Sequence, residues 1–93
     1  MTTAPVIEHD PAQGRFFTRV DGLTCEATYT MVDGAMWMMH TGVPGALEGR
    51  GIAAALVRAA LDHARAAGLR VHPVCSYVRT YMKRHPATQD LMA

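Results

Sequence analysis

A glycine-rich loop contains the residues of this 93-residue sequence that are best suited to hold an anion. It runs over residues 44–54, Pro-Gly-Ala-Leu-Glu-Gly-Arg-Gly-Ile-Ala-Ala, and leads from a predicted strand into a predicted helix. The first turn of a helix has unpaired N–H groups and a partial positive charge, and both favour an anion. Gly49 and Gly51 let the backbone approach a phosphate closely, and Arg50 adds a fixed charge. A pyrophosphate site and an ordinary tight turn both fit this spacing.

Two common phosphate-binding loops do not match this segment. A Walker loop needs Gly-Lys followed by Ser or Thr, which the sequence lacks. The spacing of Gly49, Gly51 and Ala54 fits the dinucleotide fingerprint, which also expects an acidic residue about 20 positions further on and a parallel sheet. No carboxylate occurs over residues 63–89, and the strands before the loop are predicted to be antiparallel. We therefore exclude a dinucleotide site.

Two other side chains, Cys75 and His40, are candidates for chemistry on a bound substrate, and a third, Tyr77, is a candidate for lining it. Cys75 directly precedes a predicted helix, whose dipole would stabilise the reactive thiolate, although a free cysteine is more often a buried packing residue. His40 lies near the end of the strand before the loop, where an imidazole could accept the proton of an amine, although it also fits as a hydrogen-bonded strand residue. Tyr77 and Tyr81 share one face of the last helix. We expect Tyr77 to line the ligand and Tyr81 to lie in the core.

The first half of the chain is predicted to be an antiparallel meander. Asp-Gly steps at 21–22 and 33–34 favour tight hairpin turns. Between them, apolar and polar residues alternate over 23–31, which predicts a strand with one face on the core. Residues 15–20 and 35–43 are predicted to be its neighbours, with a short edge strand at 6–9.

The hydrophobic period changes in the second half. Residues 51–67 have the apolar stripe of an amphipathic helix, which Gly68 ends. Residues 69–75 are predicted to be a strand that Pro73 leaves paired on one side only or splayed. Ser76 is predicted to cap a helix over 77–84 that Pro86 terminates. The expected fold is α+β: one domain over residues 1–93, with a mainly antiparallel sheet followed by helix, strand and helix.

Composition limits the partners and the compartment. Nine Lys and Arg against eight Asp and Glu leave a net charge of +1, which argues against a nucleic-acid partner. The longest apolar run has six residues, at 52–57, far below the roughly 18 that a membrane helix needs. The N-terminal segment has no signal-peptide pattern, and the two cysteines, Cys25 and Cys75, form no CxxC motif. We expect a cytoplasmic protein with neither a membrane partner nor a metal site.

Residues 48–53, Glu-Gly-Arg-Gly-Ile-Ala, resemble the Q/R-x-x-G-x-G/A element of the GNAT superfamily of N-acetyltransferases. Gly51 and Ala53 match that element, whereas Glu48 replaces its Gln or Arg. The wider sequence is similar to the small, single-domain GNAT-like proteins of the YjdJ type, roughly over residues 35–86. The runs that carry this likeness are His-Thr-Gly-Val-Pro at 40–44, Leu-Glu-Gly-Arg-Gly-Ile-Ala at 47–53, Pro-Val-Cys-Ser-Tyr-Val at 73–78 and Arg-His-Pro at 84–86.

This resemblance implies acetyl-CoA as the co-substrate, with its pyrophosphate on the helix-entry amides and its pantetheine arm along the preceding strand. A basic residue of the last helix would pair with its 3′-phosphate, and Arg84 is the candidate. The residues that the resemblance assigns to acetyl-CoA are Thr41, Val43, Glu48, Gly49, Arg50, Gly51, Ile52, Ala53, Ala54, Ser76, Tyr77 and Arg84.

The resemblance also implies an activity, transfer of the acetyl group to an unidentified amine or protein acceptor. Cys75 would be a catalytic nucleophile and His40 a base, but direct transfer without an acetyl-cysteine fits the sequence as well. The chain is too short for the N-terminal helices that shape the acceptor pocket of longer GNAT enzymes, so we expect a shallow, open acceptor side. The alternatives are a CoA-binding sensor or interaction module without catalysis, and a structural protein without a ligand.

Overall fold

Five strands form one sheet in the order of the chain. The structure is a computed structural model, and it describes residues 5–93. The first four strands pair antiparallel, and the fifth pairs parallel to the fourth. The predicted α+β meander is thus confirmed. The strands are β1 (Glu8–Asp10), β2 (Arg15–Val20), β3 (Leu23–Val32), β4 (Ala35–Gly42) and β5 (Arg70–Pro73).

Two α-helices follow the meander. A short 3-10 turn, Gly45–Leu47, leads from β4 into α1 (Ile52–Ala67), and β5 leads into α2 (Ser76–Arg84). A second 3-10 turn, Pro86–Leu91, follows α2; neither 3-10 turn was predicted. The predicted cap of α2 is wrong, because Ser76 is already helical and Cys75 occupies the N-cap position.

The core lies between α1 and one face of the sheet, which we call the inner face. Alternate residues of β3 point inward and are buried, as predicted, but the ends of that alternation, Leu23 and Met31, are exposed. The outer face is partly exposed and carries Phe17 and Trp37 among polar side chains. Arg15 on this face donates to Glu26 over 3.1 Å. The buried side chains are Phe16, Cys25, Ala27, Tyr29, Met36, Met38, Leu47, Ile52, Leu56, Val57, Ala60, Leu61, Ala64, Val71, Val78, Met82 and Leu91.

A β-bulge interrupts β4 and changes which residues face inward. Thr28 of β3 pairs with His40, whereas the next residue, Tyr29, pairs with Met38, so Met39 is the extra residue. Such a bulge shifts the alternation of side chains by one position. Beyond it, Thr41 faces inward and His40 outward.

The pairing of β4 with β5 ends at Met38 and Pro73. Proline has no N–H to continue the ladder, and the Cys75 N–H donates to the Met38 carbonyl over 2.9 Å instead. Past this contact, no backbone hydrogen bond joins β4 to residues 74–78 in the part of the chain that the structure describes. The sequence leaves two alternatives at Pro73, pairing on one side only or a splay, and the ladder to β4 stops at this residue. We call the unpaired space beyond it, beside Thr41, the gap between β4 and β5.

The surroundings of a partly buried histidine under α1 predict that stability depends on pH. The His9 ring stacks on Phe16 with centroids 4.0 Å apart, and its Nε2 lies 2.6 Å from the Tyr29 hydroxyl oxygen. Burial, and then the neighbouring His63, lowers the pKa of His9 from its ordinary 6.5, while Asp10 opposes the shift. On acidification the unfolded chain therefore binds a proton on His9 at a higher pH than the folded chain does.

We expect the free energy of unfolding to be highest above about pH 6.5 and to fall as the pH drops from there towards the lowered pKa of His9, below which both states are protonated. Urea unfolding at pH 7.5 and pH 5.0 measures the loss, and the His9→Gln variant should lose less over the same interval. An equal loss in both proteins would contradict a role for His9.

Candidate functional site

The amino end of α1 has free backbone donors. Gly51 is its N-cap, with φ 78°, and the Ala55 N–H makes the first helical hydrogen bond, to the Gly51 carbonyl, over 3.1 Å. No side chain of residues 5–93 caps the helix, and its first turn contains no acidic residue. The amides over residues 52–54 are therefore open to a ligand, and the helix dipole favours an anion there.

These amides border a cavity of about 420 Å³, which we call the strand-end cavity. It lies where β4 ends, beside the gap between β4 and β5. All of its lining residues except Leu47 are among those that the sequence assigned to acetyl-CoA. Leu47 is buried in the 3-10 turn, which nothing in the glycine-rich loop sequence predicts. The lining comprises Thr41, Val43, Leu47, Glu48, Gly49, Gly51, Ile52, Ala53, Ala54 and Tyr77.

Two of the residues assigned to acetyl-CoA, Arg50 and Ser76, line neither this cavity nor the groove between α1 and α2 that is described next. The Arg50 guanidinium lies 2.9 Å from an Asp21 carboxylate oxygen in the turn between β2 and β3, and both side chains are exposed. Its charge is thus matched by a carboxylate instead of facing the amides of α1. Ser76 is exposed in the first turn of α2.

A groove of about 680 Å³ between α1 and α2 continues from the strand-end cavity. Gly51, Ala54 and Tyr77 line both spaces, so the two are adjacent. Arg84 lies in this interhelical groove. Its lining comprises Pro5, Ile7, Gly51, Ala54, Ala55, Arg58, Ala59, Asp62, Tyr77, Thr80, Tyr81, Arg84 and His85.

Tyr81 both packs on the core, as predicted, and lines the groove. Its ring stacks on that of His85, with the centroids 3.9 Å apart. The sequence signal for this groove was the helical spacing of small residues on α1 and of aromatic and basic residues on α2. The stripe on α1 by itself predicts only a face that packs on the core.

Cys75 lies beside the strand-end cavity, half-buried at the N-cap of α2. Its Sγ is 3.6 Å from the hydroxyl oxygen of Thr41, which lines the cavity. Burial raises the pKa of the Cys75 thiol, but the N–H groups of Val78 and Tyr77, with the hydroxyl and N–H of Thr41, outweigh burial and bring the pKa below its ordinary value. These donors make the thiolate more accessible than it is for an ordinary cysteine.

Tyr77 stands at the entrance to both spaces, and 40% of its side chain is exposed. Burial and then Tyr81 raise the pKa of its phenol, while Arg84 opposes the shift. The phenol therefore stays protonated at neutral pH and can donate a proton into the cavity.

His40 does not join this group. It is exposed on the outer face, and a Cβ added at Gly42 would lie 3.1 Å from its Nε2, so the imidazole lies over the Gly42 backbone. Cys75, in contrast, contacts the inward-facing Thr41. The structure thus places the two predicted catalytic residues on opposite sides of β4.

Within residues 5–93, no three His, Cys, Asp or Glu side chains are close enough together to hold a metal ion. No helix in that range is long and apolar enough to cross a membrane.

The sequence matches the family described as GCN5-related N-acetyltransferase over residues 15–91. It is 38% identical over 88 residues to Protein NATD1 of Gallus gallus, an alignment that covers 91% of this chain and 80% of that protein. The identity to Protein NATD1 of Homo sapiens is also 38%, covering 91% of this chain and 78% of the human protein. The fold is similar to that of a GCN5-like protein from Staphylococcus aureus solved by NMR, with a TM-score of 0.76 and 26% identity; 99% of this chain and 91% of that chain are covered.

Proposed function

The chain belongs to the GCN5-related N-acetyltransferase family, and we propose from this premise that it transfers an acetyl group from acetyl-CoA to an amine. The observation that carries the proposal is the uncapped amino end of α1, whose free amides border the strand-end cavity. We also assign the chain to the YjdJ-type branch of the family on the motifs of its sequence.

The strand-end cavity suits the phosphate and pantetheine parts of acetyl-CoA. The amides of Ile52, Ala53 and Ala54 would donate to the pyrophosphate. The open edge of β4 at Thr41 and Val43, which β5 leaves unpaired, would take the amides of the pantetheine arm as an added strand does. Arg50 could help only by leaving Asp21, so we assign phosphate binding mainly to the backbone. Glu48 would contribute backbone alone, because its carboxylate repels an anion.

The interhelical groove suits the nucleotide end of acetyl-CoA. Arg84 and Arg58 line it together with the tyrosines, and we propose that Arg84 pairs with the 3′-phosphate. Replacing Arg84 with Gln should weaken CoA binding about fivefold, because an exposed arginine–phosphate pair contributes modestly. Binding of 3′-dephospho-CoA should stay as in the wild type.

Isothermal titration calorimetry with both ligands checks this prediction. Lys83→Gln is the matched control, because it removes the neighbouring positive charge on α2 from a residue that lines neither space. Equal losses for CoA and 3′-dephospho-CoA, or an equal effect of Lys83→Gln, would contradict the assignment of Arg84.

The chemistry that we propose proceeds through Cys75. The thiolate attacks the acetyl carbonyl carbon, the bond from that carbon to the CoA sulfur breaks, and Tyr77 donates a proton to the departing sulfur. The amine then attacks the acetyl-Cys75 thioester, forming an amide and releasing the Cys75 thiolate. His40 lies across β4 from Cys75, so it would take the proton only of an amine that reaches the thioester from the outer face through the gap between β4 and β5. Proton exchange with water restores Tyr77 and His40.

A CoA-binding module without catalysis is the second candidate, and one observation favours it. The described residues before α1 form only strands, turns and a single 3-10 turn. None of these residues forms a helix that could enclose an acceptor on the outer face. Such a protein would bind CoA and report its level to a partner.

Two measurements test the proposal. Calorimetry with acetyl-CoA comes first, and absence of both heat and a thermal shift at millimolar ligand would overturn any CoA function. Release of free CoA thiol is then followed with a panel of amines and lysine peptides. Acceptor-dependent release supports the transferase, whereas tight binding without release on any acceptor supports the module.

We further propose that the protein works in the cytoplasm. Cys25 and Cys75 are both free, which suits a reducing compartment. The near-neutral net charge of +1 supports a small-molecule or protein partner over a nucleic acid.

A further inference from the structure

We propose that Thr41 is a positioning residue for Cys75, whose sulfur its hydroxyl holds as a thiolate by donating a hydrogen bond across the gap between β4 and β5. The inference rests on the proposed function, because it concerns the thiol that would accept the acetyl group. The contact that carries it is the 3.6 Å separation between the Thr41 Oγ1 and the Cys75 Sγ.

The β-bulge at Met39 is what brings the Thr41 hydroxyl to this position. Met36 and Met38 are buried on the inner face, so strict alternation would turn His40 inward and Thr41 outward. After the extra residue, Thr41 instead pairs with Ala27, which is buried on the inner face. Bulges often re-aim a side chain next to an active site. This one places a hydroxyl, and not an imidazole, beside the sulfur.

The hydrogen bonds around Thr41 leave its hydroxyl available to the sulfur. Within residues 5–93 the Thr41 hydroxyl has no hydrogen-bond partner other than Cys75. In contrast, the hydroxyl of Thr28, on the adjacent strand β3, donates to the His40 carbonyl. A thiolate can only accept, so the hydroxyl must be the donor whenever the sulfur is ionised. Loss of this donor would leave the sulfur with backbone amides alone, which disfavours the charged form.

A packing role for Thr41 is the alternative, since threonine suits a strand through its branched Cβ. Valine keeps that shape and removes the hydroxyl, whereas serine keeps the hydroxyl and removes a methyl group. The two variants therefore separate the two roles. Thr41→Ala, which also removes the hydroxyl, repeats the measurement without the bulk of valine.

The experiment is the pH dependence of Cys75 alkylation by iodoacetamide in the full chain without acetyl-CoA. Trypsin places Cys75 in the peptide 71–79 and Cys25 in the peptide 20–50, so mass spectrometry follows each thiol separately. Cys25 is fully buried, and its lack of reaction shows that each variant is folded. Cys75→Ala gives the background.

We expect Thr41→Val and Thr41→Ala to raise the midpoint of the alkylation profile by about one pH unit and to slow the reaction at pH 7, since a bond to a charged group is lost. Thr41→Ser should keep the wild-type profile. A wild-type profile in Thr41→Val, or the same shift in Thr41→Ser, would overturn the proposal. The alkylation assay needs no acetyl-CoA, so its result does not depend on whether the protein transfers acetyl groups. Conversely, an unchanged profile in Thr41→Val would contradict only the role of Thr41 and would say nothing against CoA binding.

Discussion

Replacing Gly51 with Val should reduce the affinity for acetyl-CoA at least about tenfold, which corresponds to about 1.4 kcal/mol. Gly51 has φ 78°, a conformation that strains a β-branched residue, and it lines both the strand-end cavity and the interhelical groove. An added Cβ would meet no atom of the protein within 4 Å, so the valine would project into the space that the ligand needs. The loss should therefore come from exclusion of the phosphate, with a smaller part from backbone strain.

Gly34→Val is the control matched to this substitution. Gly34 also has φ 78° with nothing within 4 Å of an added Cβ, but it lies in the turn between β3 and β4, outside both ligand spaces. Both variants should lower the melting temperature by similar amounts, and only Gly51→Val should weaken binding. Calorimetry and thermal unfolding measure the two effects. Wild-type affinity in Gly51→Val, or an equal loss in Gly34→Val, would refute the assignment of the α1 amides.

The turns of the meander were predictable because their signal is local. Asp21 and Gly22 have φ of 52° and 76°, and Asp33 and Gly34 have φ of 49° and 78°. Aspartate and glycine tolerate this conformation better than other residues do, so the dipeptide itself predicts the turn. The amphipathic period of α1 and the glycine after it are equally local, and the structure places this helix within one residue of its prediction.

The bulge in β4 was not predictable in the same way. Residues 36–39 are Met-Trp-Met-Met, and a run that is apolar throughout has no period that could reveal an extra residue. Its position depends on pairing with β3, and it decides that Thr41 rather than His40 faces Cys75. The ion pair that draws Arg50 away from α1 likewise joins residues 29 positions apart. The sequence therefore predicts most of the residues that line the cavity, but not the directions in which the side chains of His40, Thr41 and Arg50 point.

Replacing Cys75 with Ala should lower acceptor-dependent release of CoA at least about a hundredfold, because the side chain that would receive the acetyl group is lost. Affinity for acetyl-CoA should change less than about twofold, since Cys75 does not line the strand-end cavity and the amides for the pyrophosphate belong to α1. The removed sulfur is only half-buried, so stability should fall by about 1 kcal/mol. Thiol-release kinetics, calorimetry and urea unfolding measure the three effects.

The covalent intermediate can be sought directly, and the composition of the chain makes the result easy to interpret. Lys83 is the only lysine, so an acetyl group on the peptide 71–79 must be on a residue without a side-chain amine. Incubation with acetyl-CoA should add an acetyl mass to that peptide in the wild type, and hydroxylamine should remove it, because it cleaves a thioester and leaves an amide. Cys75→Ser, which keeps a hydroxyl at the N-cap of α2, is the control for helix capping and should be as inactive as Cys75→Ala.

Undiminished turnover in Cys75→Ala would contradict the two-step route without removing the proposed activity. A direct attack of the amine needs only an oriented thioester and an unprotonated nucleophile, and the backbone of β4 and α1 can orient the thioester without a thiol. The Cys75 thiolate would then be a consequence of lying at the amino end of α2, where backbone N–H groups lower the pKa of any thiol they face. In that event His40, on the outer face, would be the remaining candidate base. The larger the fraction of amine that reaches the site protonated, the more the His40→Gln substitution should lower turnover, because that amine must first lose a proton.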